Sequence, residues 1–458
     1  MERRPHKLFL LYDLKRWLPL LAILLWRWLG TDLTTPVVWL RDGAIGAGLM
    51  LYSVMRFFAC RYRLGQTKGG ETFGVRQGVV CRRTLHIQAA DAGSVEIERS
   101  PIAWLLGGRR VRVNTAGLRR RSDAVLYLSA DEVRRLFVLR DRAAAGRLRA
   151  RFWPVFILAV SGSNAAVGLL TAVPLLRRLG TFLGEEIAPD AVGAVQQLLS
   201  AEIGAALHTA GNLLLWGWGI AALNTLLRYI GFYVTLQGEQ LHVVSGLFTR
   251  RDVLIDRDKI TAVELRQTLL MRVLGLYTAV ITAAGYGRDR GARPVLVPAA
   301  DPHTVHATLK QVLPSFPIRD TYVQVPRGAA LRYLVAPIGL IAVSAVLWIL
   351  GGAWHAPAFV AAVFGVWWCA VRWLGYKSAG LGLGEEAVTV RYPRGLALYQ
   401  VQMPRKTVDH VTVTQSVWQR RRGLCTVTVR CFGEKKRRHR VWGLPYEAVN
   451  KEKQALLE

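Results

Sequence analysis

The residue types that carry out catalysis are present in this chain, but no spacing brings them together. Nine histidines are scattered without a His-Glu-x-x-His pattern, so no metal-binding helix is written locally. His303 and His306 fall on a solvent-facing helical pattern and read as surface residues. The run Gly380-Leu-Gly-Leu-Gly384 lacks the Lys-Ser/Thr that completes a phosphate loop, and reads as a linker. No Ser, His and Asp share a local pattern that would suggest nucleophilic catalysis. The five cysteines, Cys60, Cys81, Cys369, Cys425 and Cys431, include no Cys-x-x-Cys pair. They argue against a zinc site or disulfide framework and suit a reducing compartment. The expectation is a non-enzymatic protein with no metal and no cofactor.

What remains is positive charge. Lys and Arg number 61 against 31 Asp and Glu, a formal net charge of +30. The strongest clusters lie near the C-terminus: Arg405 and Lys406; Arg420, Arg421 and Arg422; Lys435, Lys436, Arg437, Arg438 and Arg440. Weaker echoes are Arg109-Arg110, Arg119-Arg120-Arg121 and Arg250-Arg251. Each cation held near an anionic leaflet contributes about 1 kcal/mol before screening, so the C-terminal clusters are candidate lipid- or partner-binding residues. Nucleic acid would match the charge, but no recognition motif accompanies it and apolar blocks dominate the chain.

Those blocks are the elements that must position the charge. The hydrophobic fraction is 52% and the mean hydropathy +0.23, values that place the chain in the membrane class. Trp17 to Leu29 and Gly43 to Cys60 read as a first transmembrane hairpin, an uncleaved anchor with Arg56 snorkelling near one end. A second runs from about Phe152 to Leu176 and from Ile203 to Tyr233, and the intervening Thr181 to Ser200 is amphipathic and acidic. The third, Leu331 to Leu350 and Ala358 to Tyr376, turns tightly at GGAWHAP. Asn164, His208, Asn212 and Asn224 are polar within these blocks and read as interhelical glue. The far-side loops are acidic (Asp32, Asp42, Glu185, Glu186, Asp190, Glu202). Basic residues crowd the near-side helix ends (Lys15, Arg16, Arg61, Arg63, Arg149, Arg151, Arg228, Arg332, Arg372, Lys377). The positive-inside rule then makes both termini and the segments between hairpins cytoplasmic.

Between hairpins the pattern changes to alternating polar and apolar residues with Gly turns, closing each time in a helix. Ser129-Ala-Asp-Glu132 is a capping box ahead of VRRLFVLRDRAAAGRLRA, Asp301-Pro302 opens the second closing helix, and the third begins near Pro445. The three units are copies. Without gaps, Arg82-Arg83, Ile87, Val95-Glu96, Gly107 and Gly117 align with Arg250-Arg251, Ile255, Val263-Glu264, Gly275 and Gly285. Gln267, Gly275 and Gly285 align in turn with Gln415, Gly423 and Gly433, and these glycines and glutamines form a structural repeat signature. Gln267-Thr-Leu-Leu-Met-Arg-Val-Leu-Gly275 predicts a turn or short helix whose Leu and Val plug a barrel, with the glycine allowing sharp entry into the next strand. CTVTVRCF predicts a strand with Cys425, Val427, Val429 and Cys431 on a core face and Thr426, Thr428 and Arg430 on the other. The first copy departs in Arg99, where the others have Gln267 and Gln415. The third offers Val417-Trp418-Gln-Arg-Arg-Arg422 where the second has an apolar run.

This signature, including Gly246-Leu-Phe-Thr-Arg-Arg and Leu-Gly before a strand, resembles the bacterial pleckstrin-homology-like (PH-like) membrane family (YdbS/YdbT-like). The triplicate layout is similar to its longer, YdbT-like branch. The resemblance implies a bent seven-stranded barrel or sandwich capped by a C-terminal helix, and a smaller one-domain PH-like relative as partner. The expected architecture is an α+β membrane protein with six transmembrane helices in three hairpins, each followed by a cytoplasmic PH-like domain. Hairpins occupy 1–60, 151–231 and 328–376; PH-like domains occupy 61–150, 232–316 and 377–458. The expected function is a scaffold in the bacterial cytoplasmic membrane that contacts partner proteins and anionic lipid headgroups. A transporter or export component using the helix bundle is the alternative.

Overall fold

The computed structural model describes residues 2–17, 20, 36–67, 70–79, 81–88, 92–115, 124–136, 145–162, 203–284, 294–314, 316, 323–351, 354–384, 386–432 and 438–457. Most of Trp17 to Leu29, all of Asn164 and Thr181 to Ser200, and Gly117, Gly285, Gly433, Lys435, Lys436 and Arg437 lie outside the described residues. His208 and Asn212 are described only as helical backbone.

The first copy contributes strands β1 (Glu2–Arg3), β2 (Arg61–Thr67), β3 (Gly70–Gln77), β4 (Arg83–Gln88), β5 (Ala92–Arg99), β6 (Gly108–Thr115) and β7 (Ala124–Ser129). The second contributes β8 (Ala145–Arg149), β9 (Tyr233–Gln237), β10 (Gln240–Ser245), β11 (Arg250–Asp256), β12 (Ile260–Thr268), β13 (Tyr277–Ala283) and β14 (Val295–Ala300). The third contributes β15 (Val323–Gln324), β16 (Gly380–Leu383), β17 (Ala387–Arg394), β18 (Ala397–Pro404), β19 (Val408–Thr414), β20 (Leu424–Cys431) and β21 (Arg438–Pro445). In every copy the first strand precedes the hairpin and pairs antiparallel with the strand that follows it, as in β1–β2, β8–β9 and β15–β16. The helical segments are therefore inserted inside the β units, with the chain entering and leaving each through one strand pair.

Hydrophobic cores belong to single copies. Val234, Leu241 and Ile255 from the first four strands of the second copy pack with Val263, Leu265, Val280 and Ile281 from its last three. Its closing helix Pro302–Val312, capped by Asp301 accepting from the Thr304 amide at 3.1 Å, adds Val305 and Leu309. Each fully buried aliphatic side chain contributes about 1.5–3 kcal/mol. Corresponding cores form in the first and third copies.

Hydrogen bonding follows a different division. The sheets are β1-β2-β3-β4, β7-β6-β5-β11-β10-β9-β8, β14-β13-β12-β18-β17-β16-β15 and β19-β20-β21. The three-stranded half of one copy thus joins edge to edge with the four-stranded half of the next, antiparallel, at β5–β11 and at β12–β18. Ala262, on the second copy's β12, even lies in the third copy's core.

Three expectations need correction. Residues 145–149, read as the end of a long closing helix, form β8: the helix is Ala130–Leu136, and Leu148 and Arg149 pair with Val234 and Tyr233. The Leu and Val of 269–275 do not plug a barrel. Leu270, Val273 and Leu274 are exposed, and only Met271 is buried. Strand β20 is covered on both faces, because Gln419 Nε2 donates to Thr426 Oγ1 (2.8 Å) and Arg440 Nε to Thr428 Oγ1 (3.3 Å).

Among the described residues two helices are long and apolar enough to cross a membrane, Arg327–Leu350 and Ala358–Ser378, and they pack together as a hairpin. Helices Pro36–Ala59 and Ile203–Tyr229 are 24 and 27 residues long. The apolar helix Phe152–Gly162 is shorter.

Candidate functional site

One short helical turn recurs in each copy, after β5, β12 and β19: Pro101–Leu105, Leu269–Val273 and Val417–Arg421. Its local cause is legible in each. Ser100, Thr268 and Ser416 are N-caps whose hydroxyls accept from the amides of Ala103 (3.2 Å), Met271 (3.3 Å) and Gln419 (3.3 Å), satisfying otherwise orphaned donors. The capped residue is the buried one in all three. Gly107, Gly275 and Gly423 end the turns at φ 68, 66 and 62°, a left-handed conformation that side chains resist. Gln267 and Gln415 brace their turns by donating to the carbonyls of Leu276 (3.0 Å) and Leu424 (2.9 Å). Arg99, at the matching position of the first copy, instead lies over the Trp104 ring, 5.8 Å from its centroid.

The first two turns sit at the feet of the helices that precede their copies' sheets. Ala103 packs in a cluster with Leu8, Phe9 and Cys60, and Met271 in one that meets Ile157 and Leu158. Beside them, the Gly246 amide donates to the Ile230 carbonyl and the Leu247 amide to that of Leu227, tying the β10–β11 turn to the end of the preceding helix. In the third copy Pro393 and Leu398, on either side of the β17–β18 turn, abut Gly375 near the end of the spanning helix.

The same loops expose large apolar side chains that a solvated surface would not favour. Ile102, Trp104 and Leu105 protrude from the first copy, Leu247, Phe248 and Val273 from the second, and Leu396, Val417 and Trp418 from the third. Trp418 is 76% exposed, and the exposed Arg420, Arg421 and Arg422 follow it. Arg421 lies over the Trp418 ring at 5.9 Å. An apolar ring beside a cation is the chemistry of a bilayer's interfacial zone.

The predicted basic residues divide into two groups. Arg420, Arg421 and Arg422 occupy the turn helix at one end of the β19–β20–β21 sheet. Arg405 and Lys406 form the 3₁₀ turn before β19, and Arg438 opens β21, both at the other end. The eight residues of β18 separate Arg405 from the hairpin foot, about 25 Å at strand rise. Arg438 and Arg440 are exposed on β21. Trp104, Phe248 and Trp418 were missed in the sequence because exposed aromatics leave no periodic trace. Aligning the three copies on Ser100, Thr268 and Ser416 extends the turn read at Gln267–Gly275 to all three.

Two adjoining clefts of about 360 and 370 Å³ lie beside the second junction, sharing Gln267 and Tyr399. The second also touches Leu158, Arg228 and Tyr229 of the hairpin helices. Arg266 on its wall is held by Glu264 (2.6 Å) and lies 5.3 Å from the Tyr399 ring centroid. Among the described residues no group of three or more His, Cys, Asp or Glu is placed to hold a metal ion. His303 and His306 are exposed on their helix.

A unit repeated three times is also what comparison finds. The Bacterial PH domain model matches three times, over residues 8–144, 166–313 and 330–453. The chain belongs to the bacterial PH domain family. A curated relative within reach is the transmembrane protein YdbT of Bacillus subtilis (strain 168), 21% identical over 326 residues. The match covers 64% of this chain and 65% of that protein, so less than two thirds of YdbT's length is matched. No solved structure matches. With its spanning hairpin and these domains, the chain is a membrane-associated, YdbT-like bacterial PH domain protein.

Proposed function

We propose that this bacterial PH domain protein is a non-enzymatic membrane scaffold whose three copies rest their turn helices on the anionic headgroups of the cytoplasmic leaflet. Six transmembrane helices in three hairpins anchor it, with both termini and all three domains cytoplasmic. The abundance of basic residues at the hairpin feet supports that orientation. The observation that carries the reading is the third turn: exposed Val417 and Trp418 beside Arg420, Arg421 and Arg422, on a turn whose counterparts pack at hairpin feet. Arg405, Lys406 and Arg438, a strand's length from the foot, suit partner proteins, among them a smaller one-domain PH-like protein. The transporter reading rests on Asn164, His208 and Asn212, of whose side chains nothing is described, and no observation favours it.

The test uses the full chain in lipid vesicles, with an environment-sensitive fluorophore on Trp418→Cys in a background lacking exposed Cys81. With anionic lipid the emission should shift to the blue, and high salt or replacement of Arg420, Arg421 and Arg422 by Gln should reverse the shift. A probe that reports water equally in anionic and neutral vesicles sinks the lipid reading.

A further inference from the structure

The two junctions between copies are one interaction used twice. At the first, Arg251 pairs with Glu98, Leu254 with Val95 and Val253 with Glu96. Advancing each residue by one repeat gives Tyr399 with Arg266, Gln402 with Val263 and Val401 with Glu264, which are the pairs found at the second. The bulge that shapes the receiving strand recurs as well, between Ala92 and Ser94, Ile260 and Ala262, and Val408 and His410.

Each copy therefore carries one edge of each kind, and among the described residues two edges remain unused. Strand β4, the counterpart of β11 and β18, ends the first sheet, and β19, the counterpart of β5 and β12, ends the last. Burial marks the difference. Ser94, Glu96, Ala262 and Glu264 are buried at the junctions, while their counterpart residues His410 and Thr412 on β19 are exposed. Asp252 and Gln402 are buried, while their counterparts Thr84 and His86 on β4 are exposed. An unpaired edge is usually guarded by lysine or proline. From Val411 to Thr414, β19 has neither and alternates Val with Thr, a composition suited to pairing.

We infer that β19 of one molecule pairs with β4 of a second copy of this chain, in the register of the internal junctions. That register sets Thr412 opposite Leu85, Val411 opposite His86 and Thr414 opposite Arg83. The pairing completes a third seven-stranded sheet from the three- and four-stranded remainders. The occupant follows from continuity: this chain displays both halves of a junction it makes twice internally, so a second copy is complementary without any adjustment of register. The turns of the first two copies, one on either side of the first junction, both pack at hairpin feet. Both molecules lie in one membrane, so the pairing requires an operation that keeps the feet on one side. Such a contact is heterologous, and closes into a ring or extends as a row.

The test uses full-length chains lacking Cys81 (Cys81→Ser), co-expressed with two different tags in the same membranes. One carries Leu85→Cys and the other Thr412→Cys, directly opposite positions whose Cα spacing permits a disulfide. Mild oxidation should give a product of doubled mass bearing both tags. The out-of-register pair Arg83→Cys with His410→Cys should give none. In detergent, light scattering should show a multimer that falls to monomer in His410→Lys/Thr412→Lys, two exposed positions where folding is expected to survive. The inference is overturned if the matched and mismatched pairs cross-link equally or not at all. It is also overturned if the unsubstituted chain is monomeric, or if Thr412→Cys is captured instead by a smaller membrane protein.

Discussion

At the scale of single residues, the turn glycines and their braces should dominate local stability. Gly275→Ala places a side chain at φ 66° and should cost about 1 kcal/mol or more, read as a lower denaturation midpoint of the full chain. Gln267→Ala orphans the Leu276 carbonyl and should cost about 1–3 kcal/mol by the same measurement. Burial pushes the His242 imidazole below its ordinary 6.5, with Asp252 pulling partly in the opposite direction. Because the folded value is depressed, the unfolded chain takes up the proton first. Stability is therefore full above about pH 6.5 and drains away as pH falls through the folded value. Urea midpoints measured downward from neutral pH should show that loss, and His242→Leu should flatten it. The glycines were legible because backbone sterics dictate them, whereas the caps Ser100, Thr268 and Ser416 went unread although local hydrogen bonding alone dictates them. The exposure of Leu270, Val273 and Trp418 was not legible, since it depends on which surface the turn meets.

At the scale of elements, the turn helices of the first two copies dock their β units against the preceding helices. Met271 is 1% exposed and fills the gap toward Ile157 and Leu158. Met271→Ala should cost about 2–5 kcal/mol in the full chain. Val273→Ala, 77% exposed in the absence of lipid, should leave the detergent-solubilised protein within about 0.5 kcal/mol of its original stability. Comparing chemical denaturation midpoints of the two variants checks both. Strand β8 shows why some elements escape a sequence reading. Its Ala-Ala-Ala-Gly-Arg-Leu-Arg neighbourhood favours helix, and only pairing with β9, across a whole hairpin, makes it extended. The closing helices were read correctly at their starts, where Ser129, Asp301 and Pro445 act within a turn of chain.

At the scale of the whole molecule, the copies are not detachable beads. Their cores are private but for Ala262 while their sheets are shared, a division no periodicity reveals because the pairing partners lie a full repeat apart. Cutting the chain after residue 316 strips β18 from β12 and leaves Val263, Glu264 and Leu265 on an open edge. The truncated protein should aggregate where the full chain stays dispersed, as size-exclusion chromatography in detergent would show. The strand pairs that bracket each hairpin also impose an order of events during synthesis. Strand β8 emerges before helices Phe152–Gly162 and Ile203–Tyr229 and can be closed only by β9, after both have been made. Strand β5 waits longer still, until residue 250 has been made. Completion of each sheet thus waits on the helices that interrupt it: a ribosome stalled there would hold a half-sheet whose missing strands have yet to be translated.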